Sequence, residues 1–114
     1  MTKTTLTIGL FDKDTEQQEI STAAANEIIA KTLINDYFIF AFTTWECAGV
    51  YKMDSTGNII REPSIRVEIA SDIRPGAMDI LIDEITTTLK IKLNQESIMV
   101  ELTDRITEPD ITFR

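Results

Sequence analysis

The stretch FDKDTEQQE, Phe11–Glu19, crowds four carboxylates, Asp12, Asp14, Glu16 and Glu19, into one short segment. A calcium loop would place acids in the order D-x-D-x-D-G, with the glycine making a sharp turn and a bidentate acid closing the shell. Asp12 and Asp14 begin that pattern, but Glu16 breaks it and no glycine follows. No metal site is expected. Two roles remain for the segment. Short polar side chains can turn the backbone through local hydrogen bonds and orient the helix behind them. A loop held on a rigid scaffold can also rim a pocket. Asp12 and Lys13 are the candidates there for ligand contact.

A second polar cluster, LNQES, holds Asn94, Gln95, Glu96 and Ser97. Together these donors and acceptors, Asn94 and Gln95 foremost, could read a base or sugar by hydrogen bonds. The plainer role is a helix-to-strand connection that satisfies helix-end carbonyls. Arg61, Arg66 and Arg74 could take a phosphate or carboxylate, in bidentate fashion if well placed. Arg66 and Glu68 share a strand face, so pairing along or across the strand competes with an anion site on Arg61 or Arg66. Trp45, Cys47 and Tyr51 have the same strand parity. The two aromatic rings could stack on a ligand or pack in a core or interface. Cys47 has no histidine to activate it and reads as an inert thiol.

The chain has no histidine. That removes Ser–His and Cys–His nucleophilic sites, histidine bases and histidine metal sites. No P-loop, dinucleotide fingerprint or paired-cysteine zinc pattern occurs. Carboxylate pairs could still do acid–base work, but nothing in the sequence selects one. The expectation is a non-enzyme without catalytic residues and without a cofactor.

These residues need elements to hold them. Thr5–Leu10 alternates Leu6, Ile8 and Leu10 against Thr5 and Thr7, a half-buried strand. Ser21 or Thr22 can cap a helix over Ala23–Asn35, whose apolar stripe runs through Ile28, Ile29 and Leu33. Tyr37–Lys52 is rich in aromatic and β-branched residues and reads as a long strand. The turn DSTGN, Asp54–Asn58, leads to a return strand over Ile59–Ala70, with Pro63 marking an edge or bulge. Met78, Leu81, Ile82, Ile85, Leu89 and Leu93 recur three and four apart, a second helix that starts near Pro75 and stops at Asn94. Ser97–Thr103 is the fourth strand. The order β-α-β-β-α-β predicts a ferredoxin-like α+β sandwich: a four-stranded antiparallel sheet with both helices on one face. Residues 1–104 would be that single domain. Residues 105–114, with Pro109, would be a C-terminal arm or a short extra strand.

Three segments of the chain, GLFDKDTEQQEIS, GVYKMDSTGNIIREPSIRVEI and LNQESIMVE, resemble a family of small uncharacterised proteins of Gram-positive bacteria and their phages. They also resemble a broader ferredoxin-like group with a REPS-type hairpin. The resemblance spans nearly the whole chain up to Asp104 and implies the fold only.

In YFIFAF, Phe38, Phe40 and Phe42 would face one way and Tyr37, Ile39 and Ala41 the other. A strand with one wet face should alternate apolar and polar. Apolar residues on both faces therefore predict a homo-oligomer formed through the open sheet face. The 114 residues suit one domain, and 43% apolar with 26% charged residues is globular. A net charge of −8 disfavours direct nucleic-acid binding. One cysteine, an N-terminus without a signal-like apolar core and no membrane-length apolar run point to the cytoplasm. Taken together, these features predict a non-enzymatic oligomer that binds a small polar or anionic ligand. A phage-encoded sequestering protein for a nucleotide signal is one form of it. The alternatives are an acidic inhibitor that docks on a basic protein partner, as a nucleic-acid mimic, and a cofactor-free dimeric α+β barrel enzyme.

Overall fold

In a computed structural model, residues 2–103 and 110–114 are described. Strand β1 (Thr2–Gly9) leads to helix α1 (Thr22–Lys31), which runs into a single π-helical turn over Thr32–Asp36. The hairpin of β2 (Thr43–Lys52) and β3 (Ile59–Ser71) follows, then helix α2 (Pro75–Leu93), β4 (Met99–Thr103) and β5 (Asp110–Phe113). The sheet order is β2-β3-β1-β4-β5, and every neighbouring pair is antiparallel.

Local chemistry accounts for the helix ends. Ser21 Oγ accepts the Ala24 N–H at 3.1 Å and caps α1. Pro75 occupies the first turn of α2, where a missing N–H costs nothing. Asn94 ends that helix in the left-handed region, φ 49°. The inner side chains Leu6, Ile8, Ile65, Val67 and Val100 meet Ile29 and Leu33 from the first helical segment and Ile82, Ile85 and Leu89 from α2 in one buried cluster. Each such side chain contributes roughly 1.5–3 kcal/mol by leaving water.

The α+β class holds, and the arrangement is compatible with the ferredoxin-like one, but two expectations need correction. The sheet has five strands, not four. The backbone of Asp110–Phe113 pairs with β4, Met99 opposite Phe113 and Leu102 opposite Asp110. Arg114 fastens this strand to α2 through Asp79 and Asp83. The domain boundary expected after Asp104, and the first part of the expected arm, lie outside the described residues. The second correction concerns YFIFAF, which is not strand. β2 begins only at Thr43, and Phe38 takes a positive φ of 56°. Tyr37, Ile39 and Phe42 pack against the core, the Tyr37 hydroxyl donates to the Glu84 carbonyl, and the Ile39 N–H closes on the Leu33 carbonyl. These anchors hold an irregular loop in which Phe38 and Phe40 stand in solvent, 72% and 74% exposed.

One feature of β3 sets up the site. Leu10 donates its N–H to the Pro63 carbonyl at 2.9 Å, but Pro63 has no N–H to return. The β1–β3 ladder ends at Gly9 opposite Ser64. The β2–β3 hairpin continues past that point, so its far end overhangs the place where β1 turns away.

Candidate functional site

The overhang forms one wall of a cleft of about 460 Å³, within the roughly 300–1,000 Å³ of small-molecule sites. Tyr51, Met53, Ile60 and Glu62 come from the hairpin, Gly9 and Phe11 from the end of β1, Asp12, Lys13 and Glu16 from the acidic loop, and Gln95, Glu96 and Ser97 from the connection between α2 and β4.

The acidic loop is built as a closed turn. Phe11 and Gln18 form an isolated bridge, and Asp12 N–H donates to the Gln17 carbonyl at 2.8 Å. Asp12 Oδ1 accepts the N–H groups of Asp14 at 2.9 Å and Thr15 at 3.2 Å. Glu16 adopts φ 60° to complete the reversal. The Asn94 amide, followed by those backbone donors, holds the Asp12 carboxyl below the usual carboxylate range. The connection after α2 ties the loop down. Asn94 Nδ2 donates to Asp14 Oδ2 at 2.8 Å, the Lys13 N–H to the Asn94 carbonyl at 3.0 Å, and Gln95 Nε2 to the Phe11 carbonyl at 2.8 Å. The loop is thus both an ordered turn and the rim of a cleft.

The cleft wall is chemically two-sided. Phe11, Tyr51, Met53 and Ile60 are apolar or aromatic; Asp12, Glu16, Glu62 and Glu96 are acidic against the single cation Lys13. Burial pushes the Tyr51 phenol above its ordinary value, and the charges of Glu62 and Glu16 push it the same way. Tyr51 therefore keeps its proton at neutral pH. Glu62 Oε2 accepts the Phe11 N–H at 2.8 Å. An acidic wall concentrates cations, so the cleft suits a ligand that carries a positive charge beside an apolar or aromatic body.

Of the eight residues singled out in the sequence, Asp12, Lys13, Tyr51 and Gln95 line this cleft. Asn94 stands behind it and holds the loop. The other three lie elsewhere. Trp45 and Arg66 meet on the open face of the sheet, the guanidinium 5.7 Å from the ring centre, and Arg66 also pairs with Glu101 at 3.1 Å. Arg61 shares the parity of Ile65 and Val67, is exposed, and does not line the cleft. Glu62, Glu16, Glu96, Phe11 and Gly9 were not singled out as site residues. Gly9 carried a usable signal, since a glycine inside a strand marks a close approach. Glu62 carried none, because a glutamate between arginines reads as a partner for them. Among the described residues no group of acids, cysteines or histidines is placed to hold a metal ion, and no helix is long and apolar enough to cross a membrane.

No family model matches the chain, and no curated protein does. Solved structures do. The chain is similar to a phage SAM lyase in complex with S-methyl-5'-thioadenosine, with a TM-score of 0.74 at 16% identity over 99% of this chain and 88% of that one. It is similar also to a phage SAM lyase in the apo state, with a TM-score of 0.77 at 16% identity over 99% and 87%. At this identity the likeness shows a shared fold. It agrees with the phage side of the resemblance read from the sequence; the Gram-positive, ferredoxin-like group finds no match. It also corrects the functional expectation. The scaffold expected to serve a non-enzymatic binder or an acidic inhibitor is one on which an enzyme is built, and the expectation of no enzyme falls with it.

Proposed function

We propose that this chain is an enzyme that cleaves S-adenosylmethionine or a closely related sulfonium. The observation that carries the reading is the composition of the cleft: four carboxylates facing an aromatic and apolar wall, on a fold shared with SAM lyases. The carboxylates match the sulfonium charge. Phe11 and Tyr51 offer rings against which an adenine can stack.

The missing histidine is no obstacle to this chemistry. When a sulfonium–carbon bond breaks, its electron pair returns to sulfur, and the leaving group departs as a neutral thioether. It needs no proton from a general acid. A lyase adds no water. The four-carbon fragment must then close on itself through its own carboxylate or lose a proton to become an alkene. Because charge at sulfur disappears along the reaction, carboxylates beside it bind the substrate more tightly than the neutral product. Acceleration must come from how the cleft folds the substrate's amino-acid chain toward the reacting carbon. Lys13, the Ser97 hydroxyl and the protonated Tyr51 hydroxyl are donors that can hold that chain's carboxylate, and Glu16, Glu62 and Glu96 supply negative charge for the positive end.

The exposed side chains of Ile111 and Phe113 on β5 and of Phe38 and Phe40 on the aromatic loop support a homo-oligomeric form of this enzyme. A lone thiol and a metabolite substrate support a cytoplasmic one.

Incubation of the purified protein with S-adenosylmethionine, followed by chromatography and mass spectrometry, tests the reading. Methylthioadenosine and a four-carbon product of defined mass are expected. Glu62→Gln should lower kcat/KM by about tenfold, mainly through a raised KM, while the folded circular dichroism spectrum stays unchanged. Absence of both cleavage and calorimetric binding in the wild-type protein would overturn the proposal.

A further inference from the structure

Gly9 closes β1 and has no side chain where that of Glu62 crosses the strand end. A Cβ on Gly9 would lie 2.4 Å from Glu62 Oε2 and 2.6 Å from both Glu62 Cδ and Oε1. The cause is register. Gly9 pairs with Ser64, and Glu62 is the diagonal neighbour on the same open face, two residues along β3. With the position vacant, the Glu62 side chain lies across the strand end. Its Oε2 then takes the N–H of Phe11, at 2.8 Å, just beyond the Leu10–Pro63 bond that ends the ladder. Gly9 is not among the residues of positive φ. Its backbone would accept alanine, so the space alone requires glycine.

We propose that Gly9 is a positioning residue: the absent side chain lets the Glu62 carboxylate lie on the end of β1 and face the cleft at a fixed depth. The part played by that carboxylate in cleavage rests on the function proposed above; the geometry does not. Alanine at position 9 displaces only the free end of a flexible side chain, so the protein stays folded while the carboxylate leaves the Phe11 N–H and swings away from its place beside the substrate.

A double-mutant cycle with an independent structural readout tests this. Gly9→Ala, Glu62→Gln and the double variant are compared with the wild type in S-adenosylmethionine cleavage, in thermal unfolding and in the pH titration of the Phe11 amide proton by NMR. Gly9→Ala should lower kcat/KM about tenfold, with the melting temperature within about 5 °C of wild type. In the Glu62→Gln background the same change should alter kcat/KM by less than about twofold, the non-additivity of residues that act through one another. The Phe11 amide should respond to ionisation of Glu62 in the wild type and lose that response in Gly9→Ala. Full activity of Gly9→Ala beside an active wild type overturns the proposal and leaves the function standing. So does an additive cycle. An unfolded Gly9→Ala protein overturns it as well, because a flexible carboxylate would have given way. If the wild type neither binds nor cleaves the substrate, the functional reading fails, and the Phe11 amide alone decides whether Gly9 places Glu62.

Discussion

Two loops of this molecule invert what their sequences suggest. The acidic loop, Phe11–Ile20, is almost wholly polar, yet it is tied at nearly every turn. Asp12 bonds its own backbone, Asn94 and Gln95 reach across from the end of α2, and the Phe11–Gln18 bridge closes its neck. The aromatic loop, 37–42, is apolar enough to pass for a strand, yet it makes no ladder. It hangs from three packed side chains, Tyr37, Ile39 and Phe42, and leaves Phe38 and Phe40 in solvent. The first loop is specified chiefly by directional hydrogen bonds; the second has two at its root, from the Tyr37 hydroxyl and the Ile39 N–H, and is otherwise specified by burial, which has no direction. Directional bonds fix atoms well enough to shape a cleft. Packing fixes only which side chains face inward.

The largest effect of a single substitution is expected in the aromatic loop. Ile39→Lys should bury a charge against the core and cost about 3 kcal/mol or more, read as a fall in melting temperature of roughly 10 °C or more. If the protein tolerates it, the loop is not hung on Ile39. The next effect lies in the acidic loop's tether. Gln95→Ala strands the Phe11 carbonyl beneath the loop and should cost about 1–3 kcal/mol in denaturant unfolding. It should also raise the KM for S-adenosylmethionine, because Phe11 and Asp12 move together.

A smaller, pH-dependent effect sharpens the electrostatic side. The folded pKa of Asp12 is depressed by the Asn94 amide and then by backbone donors. Its contribution is therefore fully present above the unfolded-state value and disappears as pH falls through the folded one. The difference in melting temperature between wild type and Asp12→Ala should be largest at neutral pH and shrink in acid below the ordinary aspartate range. A difference that stays constant with pH would assign the effect to the turn's shape instead. The smallest stability change is expected at Phe40→Glu, within about 0.5 kcal/mol. Light scattering on that variant shows whether Phe40 belongs to a contact between copies.

Much of the frame was legible in the sequence because it rests on short-range rules. The period of Met78–Leu93, the Ser21 cap, the Pro75 start and the Asn94 stop needed only neighbouring residues. The alternation of Leu6 and Ile8 against Thr5 and Thr7 placed β1. The error at YFIFAF has the same root in reverse. Aromatic and β-branched content favours strands, but content alone does not decide whether a partner strand lies alongside. β3 is paired along its length to β2 only from Thr43 onward.

Residue types and spacing alone carried the two helices, the first four strands in their order, the acidity of the chain and the polar character of the segments around Asp12 and Gln95, but neither the late start of β2 nor the pairing of β5. Only the tertiary structure decided that these segments meet. The bond from Phe11 to Glu62 spans 51 residues and that from Gln95 to Phe11 spans 84. Neither composition nor periodicity carries information at that range; register does. Pro63 halts the β1 ladder, Gly9 leaves a vacancy beside it, and the hairpin runs on. From that mismatch in strand length come the cleft, the burial that raises the Tyr51 pKa, and the place of a glutamate that its own sequence neighbours make look like an ion-pair partner.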